Sequence, residues 1–157
     1  MTNFQPLELS HSSQSELAKQ IETITSMMQD FYAIDNYPID IETSKKLFHE
    51  FITDENLGKC WLIYHEGEIV GYVILTFIFS FEYKGRIAFL DELYLKETAR
   101  GKGIGKMTID FIKEQATVLN VKLIYLEVEN HNEKAQKLYL ANDFEIHNRK
   151  ILKHKPH

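Results

Sequence analysis

The sequence predicts a mixed α/β domain built around one mainly antiparallel sheet. Three observations carry this. Apolar residues recur at helical spacing near the N-terminus and again after residue 103. β-Branched and aromatic runs between residues 60 and 95 read as a three-strand meander. A glycine-rich stretch, residues 99–107, then joins the last of those strands to a helix and a further strand. A meander that feeds a β-loop-α-β unit gives antiparallel strands joined to one parallel pair, with helices on the faces.

The elements follow in order. Residues 4–9 contain Pro6, which suits an edge strand because proline cannot donate to an interior ladder. Ser13 with Glu16 three residues later is a capping-box pattern, and Leu17, Ile21, Ile24, Met27, Met28 and Phe31 form the stripe of the helix it opens. Tyr37-Pro38 closes that unit. Asp40 or Thr43 can cap a second helix carrying Leu47, Phe48, Phe51 and Ile52. Residues 60–65 and 68–79 are strands whose Glu66-Gly67 junction reads as a hairpin. Ser80 and Gly85 bound a turn before a third strand, 86–95. Beyond the glycine loop, Ile104, Thr108, Phe111, Ile112, Ala116 and Leu119 line one helix face. A strand at 122–129, a short helix at Glu133–Leu140 and one or two final strands within 144–152 complete the chain.

At 157 residues, with no Pro/Gly/Ser linker, repeat or low-complexity stretch, the whole of 1–157 reads as a single domain able to bury a core. A formal net charge of -5 weighs against nucleic acid and leaves room for a cationic substrate. The single cysteine, Cys60, lies in an apolar run, permits no internal disulfide and suits a reducing compartment. Residues 1–10 lack a basic stretch followed by an apolar one, and the apolar run 69–81 is interrupted by Gly71, Thr76 and Ser80. The expectation is a cytoplasmic protein without a membrane partner. The seven histidines show no ligand spacing, so no metal is expected.

The loop ARGKGIGKM carries the most chemistry. Glycines let backbone N–H groups close around an anion, so phosphate is the natural occupant. A dinucleotide fingerprint fails because its third glycine falls at Lys106. A P-loop fails at Arg100 and at Met107. The pattern Arg/Gln-x-x-Gly-x-Gly/Ala is met by Arg100, Gly103 and Gly105, and there the chain resembles the GNAT superfamily of acetyl-CoA-dependent N-acetyltransferases. A second stretch, NHNEKAQKLYLANDF, resembles that family's later motif through Asn132, Ala135, Leu138, Tyr139 and Phe144. One departure stands out: Asp143 occupies a usual glycine position. Asp tolerates left-handed backbone better than most residues, so the helix can still end there.

The resemblance implies the GNAT fold, a central, mostly antiparallel sheet with a splayed parallel strand pair and flanking helices. It also implies acetyl-CoA as cosubstrate. Its pyrophosphate would lie on the amides of Arg100, Gly101, Lys102, Gly103, Ile104, Gly105 and Lys106, where the helix dipole and the lysines favour an anion. The backbone of Leu93, Tyr94 and Leu95 would pair with the pantetheine arm, and an N–H near Leu93 would face the thioester oxygen. Ala135 would lie against the cofactor on the later helix, and Asn132 would bond the pantetheine or an ordered water, or simply cap that helix. Tyr139 would be the general acid for the departing thiolate.

Asp91 and Glu92 stand in an otherwise apolar strand, where a carboxylate costs free energy unless it has a partner or a task. Their stretch LDELYL resembles the strand that carries an acidic pair in the polyamine acetyltransferases of this superfamily. One of the two is expected to take the amine's proton and the other to attract its charge, Asp91 being favoured as the base. Strict alternation would put Asp91 on one sheet face with Phe89, Leu93 and Leu95, and Glu92 on the other with Leu90 and Tyr94. Glu127 and Glu129 are reserve bases, and Asp30, Asp35, Asp40 and Glu42 read as caps or as an acceptor wall. The function implied is acetyl transfer to a primary amine, with a small cationic amine as partner, no nucleic acid, and a homodimer compatible with it. The alternatives are a non-catalytic acyl-CoA sensor or regulatory module, and an acetyltransferase for protein lysines or N-termini.

Overall fold

A computed structural model describes residues 1–9 and 12–157. They fall into two compact units, Met1–Glu127 and Val128–His157. The first holds strand β1 (Thr2–Pro6), helices α1 (Gln14–Ile34) and α2 (Ile41–Thr53), strands β2 (Gly58–His65), β3 (Glu68–Ser80) and β4 (Gly85–Leu95), helix α3 (Ile104–Val118) and strand β5 (Ile124–Leu126). The second holds helix α4 (Glu133–Leu140).

The sheet runs β1-β2-β3-β4-β5. Its first four strands are antiparallel neighbours, and β5 lies parallel to β4. Pro6 sits at the end of β1, an edge strand, where its missing N–H breaks no interior ladder. Glu66 and Gly67 both take positive φ, 50° and 82°, the geometry that lets a two-residue turn follow the strand twist. The helices begin where the sequence places their caps. The Ser13 hydroxyl accepts the Glu16 N–H at 3.2 Å. An Asp40 carboxylate oxygen accepts those of Glu42 and Thr43.

Two layers cover the sheet. On one face Leu17, Ile21, Ile24 and Met28 of α1 and Phe48 of α2 pack on Leu62, Tyr72, Ile74 and Tyr94. On the other, Phe111 of α3 stacks on Phe4 at 4.1 Å and meets Trp61 edge-on, and Ile104 packs with Ile63 and Ala99. Cys60 belongs to the first layer as a buried thiol, as its apolar context predicts. No helix of the described residues is long and apolar enough to cross a membrane.

Two expectations are corrected. The strand predicted at 122–129 contracts to three residues, Ile124–Leu126, because β4 offers it only Ala88–Leu90 as partners. The final strands predicted within 144–152 do not form. Their apolar residues Ile146, Ile151 and Leu152 are 85%, 64% and 89% exposed, so the segment has the residue types of a strand without a buried face or a paired neighbour. In the second unit, Asp143 takes φ 70° just beyond α4, the left-handed conformation expected where the family has glycine. The Phe144 N–H returns to the Tyr139 carbonyl at 3.2 Å and closes the helix end.

Candidate active site

Of the four α-helices among the described residues, α3 starts differently. A side chain caps α1, α2 and α4, through Ser13, Asp40 and Asn132 respectively. At α3 the cap is Gly103, no side chain bonds the first turn, and no acidic residue lies in it. The first intrahelical bond runs from the Met107 N–H to the Gly103 carbonyl, so the N–H groups of Ile104, Gly105 and Lys106 precede it. Gly101 and Gly103 take φ of 76° and 79°, and a β-carbon built on either meets nothing within 4 Å. Backbone donors, a positive helix end and open space above the glycines make a cradle for an anion, and the pyrophosphate of coenzyme A fits that chemistry.

The side chains nearby divide the work. Ile104 is fully buried, so only its backbone belongs to the loop surface. Lys102 is exposed, whereas Lys106 pairs with Asp110 one turn on at 2.7 Å. Arg100 turns back instead: its Nε donates to the Leu95 carbonyl at 3.0 Å, and its guanidinium lies 5.7 Å from the Tyr94 ring. That anchors the loop to the end of β4.

β4 is where the sheet opens. Its pairing with β5 stops at Leu90–Leu126, yet β4 continues to Leu95. Leu93, Tyr94 and Leu95 therefore pair with Val73, Tyr72 and Gly71 of β3 on one side only. Among the described residues no strand pairs with their other backbone edge, as the splay requires. The acidic pair sits at the branch. Register jumps there from Leu75 opposite Leu90 to Ile74 opposite Glu92, leaving Asp91 as the extra residue of a β-bulge.

The bulge overturns strict alternation. Asp91 and Glu92 line the same cavity, of about 240 Å³, between the sheet and the first two helices. Phe89 and Leu95, expected on one face, fall on opposite ones. Phe89 lies opposite Thr76, which lines that cavity, and Leu95 packs toward Ile63 and Ile104. One inserted residue has turned two carboxylates toward one place.

Their surroundings differ. Glu92 is clamped by two phenols: Tyr32 donates to one carboxylate oxygen at 2.7 Å and Tyr72 to the other at 2.8 Å. Burial pushes the Glu92 carboxyl above its usual range, the two hydroxyls pull it back, and the charge on Asp91 adds to the rise. Burial, and after it the contact with Glu92, pushes both phenols well above the ordinary tyrosine value, so they remain donors. Asp91 is more exposed; burial and the neighbouring charge of Glu127 raise its carboxyl. Glu127, a reserve base, follows Leu126 at the end of β5, whereas Glu129 lies in the second unit. Asp40 caps α2.

Sequence reasoning missed Tyr32 and Tyr72. A buried tyrosine needs a partner for its hydroxyl, and Tyr72, wholly buried in an apolar strand, carried that signal without naming the partner. In the second unit, Asn132 uses its side-chain oxygen to accept the Ala135 N–H at 3.1 Å, so capping is its observed role. Tyr139 packs edge-on against Phe144 at 5.6 Å, and burial pushes its phenol up to about 12.

Comparison with known proteins decides the family. The sequence pattern of the "Acetyltransferase (GNAT) family" matches residues 22–144. The chain belongs to the GNAT family of acetyltransferases. It is 36% identical over 92 residues to the uncharacterized N-acetyltransferase YhfO of Bacillus subtilis, covering 58% of this chain and 62% of that protein. It is 30% identical over 88 residues to the spermine/spermidine N(1)-acetyltransferase of the same species, covering 54% and 57%. Each match spans less than two thirds of the relative's length. Among solved structures, an integron cassette protein from the mobile metagenome of Cole Harbour Salt Marsh superposes with a TM-score of 0.82 at 24% identity, over 98% of this chain and 90% of that one, which supports the GNAT fold.

Proposed function

We propose that this GNAT chain transfers the acetyl group of acetyl-CoA to a small cationic primary amine, 1–157 working as one transferase domain. The observation that carries the reading is the side-chain-free start of α3 beside a strand whose bulge turns two carboxylates into one cavity. The similarity to a polyamine acetyltransferase supports a small amine as acceptor.

The chemistry divides among residues as follows. Amides at Gly101–Lys106 hold the diphosphate, and the open backbone edge of Leu93–Leu95 aligns the pantetheine arm and offers the thioester oxygen an N–H. Glu92, whose ionised form its two phenols favour against the cost of burial, attracts the ammonium. Asp91 accepts the proton that makes the amine nucleophilic. The amine nitrogen attacks the thioester carbonyl carbon, a tetrahedral intermediate forms, and the C–S bond breaks as the C–N bond is kept. Tyr139 gives its proton to the departing thiolate, and its elevated pKa keeps that proton available at neutral pH.

A thiol-release assay with acetyl-CoA against polyamines, amino acids, aminoglycosides and peptides tests this. Turnover with small amines is the expected result. Acetyl-CoA binding with no turnover on any acceptor would establish the non-catalytic sensor instead, and turnover confined to peptides would establish a protein acetyltransferase.

A further inference from the structure

We infer that the preferred acceptor is an amine with one ammonium group and an apolar body, rather than a polyamine or a free amino acid. The inference rests on the transferase reading above and adds the substrate's chemistry. Its basis is the cavity that receives Asp91 and Glu92. Beyond the carboxylates, the wall is Met28, Leu47, Phe48, Phe51 and Ile74, with the hydroxyl-bearing Tyr32, Ser44 and Thr76 as its other polar members. No lysine, arginine or histidine lines it among the described residues.

Charge accounting then separates the substrate classes. One ammonium uses both carboxylates, since Glu92 holds the charge and Asp91 takes the proton. A second ammonium inside the cavity would meet methyls and rings with no third carboxylate among the lining residues to pair it, which is unfavourable for a desolvated charge. A free amino acid fares worse, because its carboxylate would lie near two anions with no cationic side chain to receive it. An alkyl or aralkyl body instead covers apolar wall that otherwise faces water. Leu47, a lining residue, is 55% exposed.

The reaction needs no co-reactant besides acetyl-CoA. The amine forms the C–N bond, the thioester C–S bond breaks, one proton goes to Asp91 and one reaches the thiolate.

The test compares kcat/KM by thiol release for phenethylamine, hexylamine, spermidine, phenylalanine and phenylalanine amide. Phenethylamine or hexylamine should exceed spermidine and phenylalanine by about tenfold or more, and removing the carboxylate charge in the amide should recover part of the loss. Leu47→Glu, at a largely exposed position, adds an anion at the apolar wall. It should raise the preference for hexamethylenediamine over hexylamine by about tenfold. Spermidine as the best substrate, or a Leu47→Glu enzyme with unchanged preference, overturns the inference and leaves the transferase reading intact. Turnover of none of these amines, nor of any other in the wider panel, overturns the transferase reading itself.

Discussion

At the level of single residues, three side chains carry separable expectations. Tyr139→Phe keeps the ring that packs on Phe144 and removes only the hydroxyl. If that phenol protonates the thiolate, kcat should fall by roughly 10²–10⁴ with acetyl-CoA affinity nearly unchanged, and pre-steady-state rates are the measurement, since slow product release can mask the loss. A phenol pushed up to about 12 also predicts no alkaline loss of kcat through about pH 10. Asp91→Asn should lower kcat and abolish the rising limb of the pH–rate profile, the limb set by a carboxyl raised through burial and Glu127. Glu92→Gln should chiefly raise the amine KM, more at low salt than at high, because screening weakens the wild-type attraction it removes. Equal effects of both amides on kcat and KM would refute the division of labour.

Among the elements, α3 and β4 decide the site. At Gly103 a β-carbon would enter open space, and aspartate tolerates the left-handed backbone there, so Gly103→Asp should leave the fold intact. It places a negative charge where the proposed diphosphate would lie. Acetyl-CoA affinity should fall at least about tenfold, on the order of 1.4 kcal/mol, and unchanged binding in calorimetry would sink the loop assignment. The start of α3 was legible in the sequence because glycine spacing and the absence of a capping side chain are local properties. The bulge in β4 was not. One extra residue in an apolar strand leaves no mark on composition, yet it reverses the face of every residue after it. The clamp on Glu92 was hidden for another reason: Tyr32 and Glu92 are 60 residues apart, and only the packing of α1 on the sheet joins them.

For the molecule as a whole, helix caps, the hairpin, the meander and the order of elements could be read from periodicity and turn chemistry. What failed was pairing. Residues 144–152 have strand-like composition, but a strand exists only where a neighbour accepts its backbone, and sequence alone does not supply the neighbour. The acidic pair also affects global stability, with a sign set by its raised carboxyls. A carboxyl whose folded pKa lies above its unfolded value favours folding most when protonated, so the penalty of ionising Asp91 is absent below about pH 4 and complete above the folded value. Asp91→Asn should therefore raise Tm near pH 7, and the gain should vanish as the pH falls toward about 4. A gain that persisted at low pH would mean that charge is not its source.

The bare first turn of α3 has a consequence for the rate at which its protons leave. Amides without an internal acceptor exchange with solvent almost freely, whereas those inside a packed helix exchange only through opening. In deuterated buffer the N–H groups of Ile104, Gly105 and Lys106 should thus exchange far faster than that of Met107, which already bonds Gly103. Coenzyme A should slow those three together while leaving the side-chain-capped start of α2 unaltered. The first turn of α3 would then report occupancy of the cradle directly, with or without any acceptor amine and whether or not an acetyl group is transferred.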